Sequence, residues 1–477
     1  MKRKFLTNLT LLIILNLLIK PFWVFGIDLT VQNTVGANEY GFYFSLLSFS
    51  MLLNIIQDMG IASFNNRAIA RNHGLLSRLM PNVLILKIML VLAYFIVSLT
   101  VAYFIGYKWM QVKLLLVLLF NQFLNTLNLY LRSNIGGLQL FRTDSIVSVT
   151  DRFLMIIICS VLLWGNVTGS EFRIEWFVYA QTAAYFITTV IILLILSRHI
   201  VPLNFRLDLS VTRNMLRKSY PYALLGLMMV LYYRTDSVML ERMLPDGKFQ
   251  AGIYAQGFRI LDAASMLGFL FAGILLPMFS KMIKQREPVE QLFRFSFMLL
   301  IIPAVTGAVA LNWFSYEIMD LLYREHAAES SGVFGYLMVS FVFVSSSIIT
   351  GSLLTANGNI RYLNLIAGFS VLLNIGLNLI LIPRLQAQGS ALASMVTQSF
   401  TAALQLVLVM RIFAFIPSVK FITRFAVFIT VLVLAGYLAK MFVPGPLAGF
   451  LVTAAIGPAA ALLLKLVSLR EIIEALF

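Results

Sequence analysis

Residues 82–105 read NVLILKIMLVLAYFIVSLTVAYFI, an apolar run in which Lys87 is the one charged side chain. A helix needs about 20 consecutive apolar residues to cross the hydrocarbon core of a bilayer. Similar runs recur along the chain of 477 residues, of which 60% are hydrophobic and 12% are charged. Soluble domains are about 45–50% apolar and about 25% charged. The composition therefore predicts a polytopic membrane protein and excludes a soluble globular or disordered chain.

Fourteen apolar segments are long enough to span a membrane, and continuous runs of this length favour helices because a helix satisfies its own backbone hydrogen bonds. The segments are 5–27, 40–60, 82–105, 114–133, 146–166, 175–196, 220–241, 253–277, 292–312, 333–355, 362–382, 388–410, 420–440 and 447–467. We therefore predict an all-α polytopic membrane protein with about 14 transmembrane helices. Twelve spans would preserve the same parity and remain an alternative.

The charge distribution predicts the topology. The chain has 36 Lys and Arg against 20 Asp and Glu, a formal net charge of +16. If the N-terminus is inside, the inner segments carry 22 basic residues and the outer loops carry 8. Cytoplasmic loops of membrane proteins are enriched in Lys and Arg, so this bias predicts that both termini are cytoplasmic. The basic residues are scattered between apolar runs, which does not favour nucleic-acid binding.

The longest inner linker divides the chain. It covers residues 197–219, contains five basic residues, and includes a segment at 207–218 that we predict to be an interfacial helix. We accordingly predict an N-terminal six-helix bundle at 1–196 and a C-terminal six-helix bundle at 220–410. Two additional transmembrane helices then follow at 411–477. Repeated phrases at corresponding positions indicate that the two bundles are internal repeats, as in many secondary transporters.

Several short phrases carry a family resemblance across most of residues 5–410. They are Val35-Gly36, Glu39-Tyr40-Gly41-Phe42-Tyr43, Asp58-Met59-Gly60-Ile61, Arg234-Thr235-Asp236, Ala251-Gly252-Ile253-Tyr254-Ala255, Leu276-Pro277, Asn374 to Pro383, and Gly389-Ser390-Ala391. Their layout resembles the polysaccharide flippases of the multidrug/oligosaccharidyl-lipid/polysaccharide exporter superfamily. The resemblance implies a MATE-like fold of two six-helix bundles that work by alternating access. It also implies a non-enzymatic flippase of the bacterial inner membrane.

The implied cargo is an undecaprenyl-diphosphate-linked oligosaccharide for O-antigen, capsule or exopolysaccharide assembly. A polysaccharide polymerase and assembly proteins are the implied partners. A multidrug exporter of the same superfamily is an alternative, although the basic residues within the spans argue against it. A membrane glycosyltransferase or polymerase is a second alternative, but the longest outer loop, 313–332, is too short for a catalytic domain. An assembly scaffold is a third.

Basic and amide side chains inside the predicted spans are the candidate substrate ligands, because arginine binds phosphate oxygens in pairs and amides bind sugar hydroxyls. The candidates are Arg234 and Arg259 first, then Lys20 and Arg152, and then the polar stripe of Asn121, Asn125, Asn128 and Arg132. Snorkelling or structural ion pairs are the alternative for the cations. Interhelical hydrogen bonds are the alternative for the amides.

Carboxylates near these cations are candidates for coupling to an ion gradient. Asp236, Asp262 and Asp58 could each exchange a proton or bind Na⁺, and charge compensation for a neighbouring cation is the alternative. The one cysteine and three histidines form no close metal-ligand pair, and the chain has no phosphate-binding Gly-Lys-Ser/Thr loop. We therefore predict no catalytic residue, no metal and no cofactor, with transport coupled to H⁺ or Na⁺.

Overall fold

The computed structural model describes residues 14–16, 18–62, 65–66, 69, 74, 76–165, 167, 169–198 and 209–467. Within these residues the chain is helical and contains no β-strand. Many of the large apolar side chains lie on the outside, for example Ile88, Leu92 and Ile96 of the apolar run at 82–105. An exposed apolar surface of this kind is expected where lipid replaces water as the solvent. The predicted all-α fold is confirmed.

Fourteen α-helical elements and one π-helical segment organise the described residues. They are the π-helical segment Phe22–Asp28, α1 (Leu29–Leu52), α2 (Ile55–Asp58), α3 (Leu76–Ile105), α4 (Trp109–Gly137), α5 (Phe141–Trp164), α6 (Ile174–Ser197), α7 (Leu209–Met243), α8 (Gly247–Gln285), α9 (Glu290–Trp313), α10 (Ser315–Leu322), α11 (Ala327–Ala356), α12 (Ile360–Phe413), α13 (Val419–Phe442) and α14 (Pro446–Leu463). Elements α2 and α10 are too short to cross a bilayer.

The number of membrane-spanning helices differs from the prediction. Twelve helices in the described part of the chain are long and apolar enough to span, so the predicted count of about fourteen is not confirmed. The difference arises at two places. The predicted first and second spans form one helical stretch, Ile14–Asp58, and the predicted eleventh and twelfth spans form α12. Ten other predicted spans each correspond to one helix.

Each of these two long stretches contains a non-helical residue near its middle. Gly36 has φ 77° and ψ 168°, and Gln386 has φ 51° and ψ −131°. Both values lie in regions that L-residues rarely adopt, and only glycine enters them without a steric penalty. At Gln386 the side chain of Gln250 supports the break, accepting from the Ala387 N–H at 3.3 Å and donating to the Gln386 Oε1 at 3.1 Å.

The chain forms two compact units, Met1–Val238 and Met239–Phe477, and the division falls inside α7. The division predicted from the sequence lies at the 197–219 linker. Residues 199–208 of that linker lie outside the described residues. Residues 209–218, predicted to be part of a separate interfacial helix, are instead the first turns of α7. The membrane-spanning part of α7 is Ser219–Met243.

In the second unit the two C-terminal helices α13 and α14 pack on α9. Their shared core includes Ile301 and Val305 of α9 with Phe428 and Leu432 of α13. At one end, the Lys440 Nζ donates to the carbonyl oxygen of Trp313 at 2.7 Å and lies 3.3 Å from the Glu317 Oε1. These contacts attach the additional helices to the preceding bundle.

Gly436 of α13 offers a direct test of this packing. A Cβ at Gly436 would overlap the indole ring of Trp313, whereas a Cβ at Gly307 of α9 would meet no atom within 4 Å. Both changes to alanine raise helix propensity by the same amount, so the difference between them isolates the steric overlap. We expect Gly436→Ala to lower the free energy of unfolding by about 1–3 kcal/mol relative to Gly307→Ala. Unfolding in mixed detergent micelles measures this, and equal stability of the two variants would contradict the packing.

Candidate functional site

Three of the predicted cations converge in the first unit. Lys20 lies within electrostatic reach of Arg152, Arg132 and Asp151. These residues come from three different parts of the chain: the first helical stretch, α4 and α5. The Arg132 Nε lies 3.0 Å from the Asp144 Oδ1, and the Arg152 Nε lies 3.6 Å from the Asp151 Oδ2. We call Lys20, Arg132 and Arg152, with their two carboxylate partners, the cationic cluster.

The cationic cluster has an excess of positive charge and is half-buried. Its three cations face two carboxylates, and the side chains of both arginines retain a quarter or more of their exposure. Partial burial lowers the local dielectric and strengthens interactions with a ligand, while the remaining exposure leaves the guanidinium groups accessible. This arrangement suits the binding of an anionic group.

Arg152 is held by more than its neighbouring carboxylate. Its guanidinium carbon lies 5.4 Å from the centroid of the Trp23 ring, and it also forms a hydrogen bond with the Tyr185 hydroxyl. The Trp23 ring also stacks on Phe177, with 5.7 Å between the ring centroids. Cation–π and hydrogen-bond partners that fix a guanidinium reduce the entropy lost when it binds a ligand. Neither Trp23 nor Tyr185 is among the candidates predicted from the sequence.

The turn between α4 and α5 explains the contact between Arg132 and Asp144. Arg132 lies in the last turns of α4 and Asp144 in the first turn of α5. Only residues 138–140 separate the two helices, so the ends of the helices are adjacent. An aspartate in the first helical turn also interacts favourably with the exposed N–H groups there. A basic residue before a tight turn and an acidic residue after it is the sequence signal for this pair.

Two asparagines of the α4 stripe bind the neighbouring helix α6. Asn121 donates to the Val178 carbonyl at 3.2 Å and accepts from the Thr182 hydroxyl at 2.7 Å. Asn128 repeats the pattern seven residues later, donating to the Tyr185 carbonyl at 3.1 Å and accepting from the Thr189 hydroxyl at 2.8 Å. In these two positions the amide groups are used for helix packing, the alternative raised from the sequence.

Asn125 differs from the other members of the stripe. It is half-buried, and in the part of the chain that the structure describes it makes no hydrogen bond. Its position on α4, between two positions that bind α6 and seven residues before Arg132, keeps it on the polar face of the helix. Of the three asparagines, Asn125 is the one whose amide is available to a ligand.

Arg234 and Arg259, the first two candidates from the sequence, lie in different units. Arg234 is half-buried on α7 in the first unit, with its guanidinium carbon 5.8 Å from the centroid of the Tyr233 ring. Arg259 is half-buried on α8 in the second unit, three residues before Asp262. Asp236 of α7 is fully buried. Neither arginine is part of the cationic cluster as defined above.

Asp58 forms an ion pair with a residue that sequence analysis did not include among the candidates. Its Oδ1 lies 3.6 Å from the Nζ of Lys87, which also donates to the Gln57 carbonyl at 3.1 Å. Lys87 is only 2% exposed and lies near the start of the predicted third span. Such a buried ammonium requires a partner, since an isolated charge in a low-dielectric interior is very costly.

A metal centre has no support in the described residues, where no group of three or more His, Cys, Asp or Glu side chains could hold an ion. Two of the histidines, His73 and His199, lie outside the described residues. The third, His326, lies between Glu325 and Glu329, at 3.8 and 3.5 Å from their carboxylate oxygens.

The chain matches a known protein family over more than half of its length. The model of the family described as "Polysaccharide biosynthesis protein" matches residues 5–283. No curated protein matches the sequence. The matched region contains the whole cationic cluster, the ion pair of Asp58 with Lys87, and both Arg234 and Arg259.

Solved structures share the fold at low sequence identity. An inward-facing multidrug resistance MATE family transporter of the MOP superfamily is 16% identical, with a TM-score of 0.65 over 84% of this chain and 94% of that chain. The lipid II flippase MurJ in an inward closed conformation is 14% identical, with a TM-score of 0.63 over 93% and 99%. A MOP superfamily transporter from Pyrococcus furiosus is 15% identical, with a TM-score of 0.58 over 86% and 94%. These similarities establish a MATE-like and MurJ-like fold.

Proposed function

The chain belongs to the polysaccharide biosynthesis protein family, and from this we propose that it is a flippase for undecaprenyl-diphosphate-linked oligosaccharides. The membership confirms the resemblance drawn from the sequence phrases. The cationic cluster is the observation that carries the proposal. A diphosphate-linked sugar is anionic and hydrated, so it crosses hydrocarbon only where fixed cations and polar groups replace its water.

Arg152 and Arg132 supply planar guanidinium groups, and Lys20 adds a mobile ammonium. Arginine binds two phosphate oxygens at once. The site therefore favours a phosphate over a drug that has no anionic group. Asn125 supplies an amide for the first sugar, and Arg234 and Arg259 act as additional cations along the path. The lipid tail remains in the bilayer while the head group crosses. The same excess of positive charge would repel cationic drugs, which are the cargo of the alternative multidrug exporter.

We place the protein in the bacterial inner membrane with both termini and the 197–219 linker in the cytoplasm. In this orientation alternating access moves the head group from the inner to the outer leaflet for O-antigen, capsule or exopolysaccharide assembly. A polymerase and assembly proteins then use the flipped unit. An ion gradient drives the cycle through one or more of Asp236, Asp262 and Asp58, using H⁺ or Na⁺.

A deletion strain tests this function. We expect complete diphosphate-linked units to accumulate in the membrane while surface polysaccharide is lost, because synthesis precedes flipping and polymerisation follows it. Mass spectrometry of lipid-linked sugars with staining of surface glycan measures both. Incomplete units would identify a glycosyltransferase instead. An unchanged amount of lipid-linked units together with increased drug sensitivity would identify a multidrug exporter. As the control, a plasmid-borne copy of the gene should restore both the lipid-linked units and the surface polysaccharide to normal.

A further inference from the structure

The Tyr185 hydroxyl lies in a chain of side-chain hydrogen bonds that runs from α4 through α6 to α5. The Asn121 Nδ2 of α4 donates to the Gln181 Oε1 at 3.3 Å, and the Gln181 Nε2 donates to the Tyr185 Oη at 3.4 Å. The Tyr185 hydroxyl is hydrogen-bonded in turn to Arg152 of α5. The asparagine stripe of α4 is therefore connected to the cationic cluster through two side chains of α6.

The backbone carbonyl of Val178 fixes the direction of this chain. A carbonyl oxygen only accepts, so the Asn121 atom that faces it at 3.2 Å is the amide nitrogen, Nδ2. The same Nδ2 faces Gln181, which therefore presents Oε1 to Asn121 and Nε2 to Tyr185. Rotating the Gln181 amide by half a turn would place two donors against each other and leave a buried hydrogen bond unmade. The polarity of the chain follows from a group that cannot donate.

Both hydrogen bonds to the Tyr185 Oη come from donors. The Gln181 Nε2 is an amide donor, and the guanidinium of Arg152 has donors and no acceptor. A tyrosine hydroxyl accepts through its lone pairs, so neither contact uses its own hydrogen. Asp151 acts on Tyr185 electrostatically and not through a hydrogen bond. In the part of the chain that the structure describes, the Tyr185 O–H thus meets no acceptor.

The burial of Tyr185 gives this hydrogen a meaning. Only 5% of Tyr185 is exposed, and buried donors in folded proteins are nearly always paired. The hydroxyl is in contact with the guanidinium of Arg152, so an anion bound by that guanidinium lies next to the O–H as well. An anionic oxygen is a strong acceptor, because hydrogen bonds to charged groups are shorter and stronger than neutral ones. The position beside Arg152 is therefore suited to an acceptor that carries negative charge.

We propose that Tyr185 donates a hydrogen bond to a phosphate oxygen of the diphosphate that Arg152 binds, with Asn121 and Gln181 holding its hydrogen toward the ligand. The inference rests on the proposed function and adds a binding residue to its substrate site. The guanidinium engages two oxygens of the diphosphate, and the remaining oxygens are available to Tyr185. A neutral O–H raises the affinity for the anion without adding to the repulsion among the cations of the cluster.

Isothermal titration calorimetry of the purified full chain in detergent micelles tests this donor, with farnesyl diphosphate as the probe. Tyr185→Phe removes the hydroxyl and keeps the ring, and we expect it to raise the Kd about tenfold, the effect of one hydrogen bond to a charged group. Tyr232→Phe is the matched control. Tyr232 lies in the same unit and is also 5% exposed, so this variant should bind like the wild type. Wild-type affinity in Tyr185→Phe would overturn the inference.

A variant without Arg152 separates direct donation from a role in holding the guanidinium. If Tyr185 acted only by positioning Arg152, Tyr185→Phe would have no further effect once Arg152 is replaced by alanine. Direct donation predicts that the double variant Arg152→Ala with Tyr185→Phe binds farnesyl diphosphate about fivefold more weakly than Arg152→Ala alone. Equal affinities of these two variants would reject Tyr185 as a ligand and leave it as a positioning residue.

The binding experiment and the deletion strain fail separately. Accumulated lipid-linked units in the deletion strain, together with unchanged binding in Tyr185→Phe, would support the flippase and reject Tyr185 as a ligand of its substrate. A normal deletion strain together with weakened binding in Tyr185→Phe would reject the flippase and support Tyr185 as a donor in a prenyl diphosphate site.

Discussion

Arg152→Ala is expected to reduce surface polysaccharide about 100-fold, with lipid-linked units accumulating in the membrane. A hydrogen bond to a charged group is worth about 1.5–3 kcal/mol, and a guanidinium forms two of them with one phosphate. The loss is large because Trp23 and Tyr185 already fix the Arg152 side chain, and no mobile residue can replace a group held in this way. Complementation of the deletion strain, with immunoblots for protein level, measures the effect.

Two companion variants show whether geometry or charge matters. Arg152→Lys keeps the charge but loses the planar fork and its position over the Trp23 ring, so we expect an intermediate loss of about tenfold. Arg361→Ala removes an exposed arginine at the start of α12 and is the control for a change of net charge. Normal surface polysaccharide in Arg152→Ala would reject the cationic cluster as the substrate site.

The second large effect is an asymmetry between the two members of the Asp58 and Lys87 pair. We expect Asp58→Asn to lower the free energy of unfolding by about 3 kcal/mol, since it leaves a buried ammonium without its carboxylate. Lys87→Met should cost less than about 1 kcal/mol, because the remaining carboxylate is 27% exposed and water solvates it. Unfolding in mixed micelles at neutral pH measures both.

A double variant completes this comparison. Asp58→Asn combined with Lys87→Met removes both charges, so its stability should return close to that of Lys87→Met alone. An equal decrease in the free energy of unfolding for the two single variants would show that both side chains are solvent-exposed to a similar extent. Additive losses in the double variant would show that the two side chains do not interact.

The sequence predicted the elements of the fold better than their continuity. Ten spans corresponded to single helices because each has a continuous apolar run between polar turns. The runs around Gly36 and Gln386 include polar residues that read as loops, yet the helical pattern continues on both sides of the break. Hydropathy reports depth in the bilayer and not backbone geometry, so it predicts four spans here but does not predict that kinks at Gly36 and Gln386 join them in pairs.

The candidate site was predictable one residue at a time but not as an arrangement. Lys20, Arg132 and Arg152 were each identified as charges within apolar runs, but more than 100 residues separate Lys20 from the other two. Their convergence depends on how α4, α5 and the first stretch pack. Asn121 likewise binds a helix and not a sugar because Thr182 and Val178 of α6 are its hydrogen-bond partners. The spacing of polar residues within α4 does not reveal partners on another helix.

The π-helical segment Phe22–Asp28 has an evolutionary consequence. Its hydrogen bonds run from residue i to i+5, so each turn holds one residue more than an α-helical turn. Loss of one codon in this segment would restore the α-helical pattern, and Lys20 would keep nearly the same direction relative to Asp28 because the wider turn is what accommodates the additional residue. A lineage could therefore gain or lose this residue without turning the lysine away from Arg132 and Arg152. Alignments of its relatives should allow a gap of one residue here.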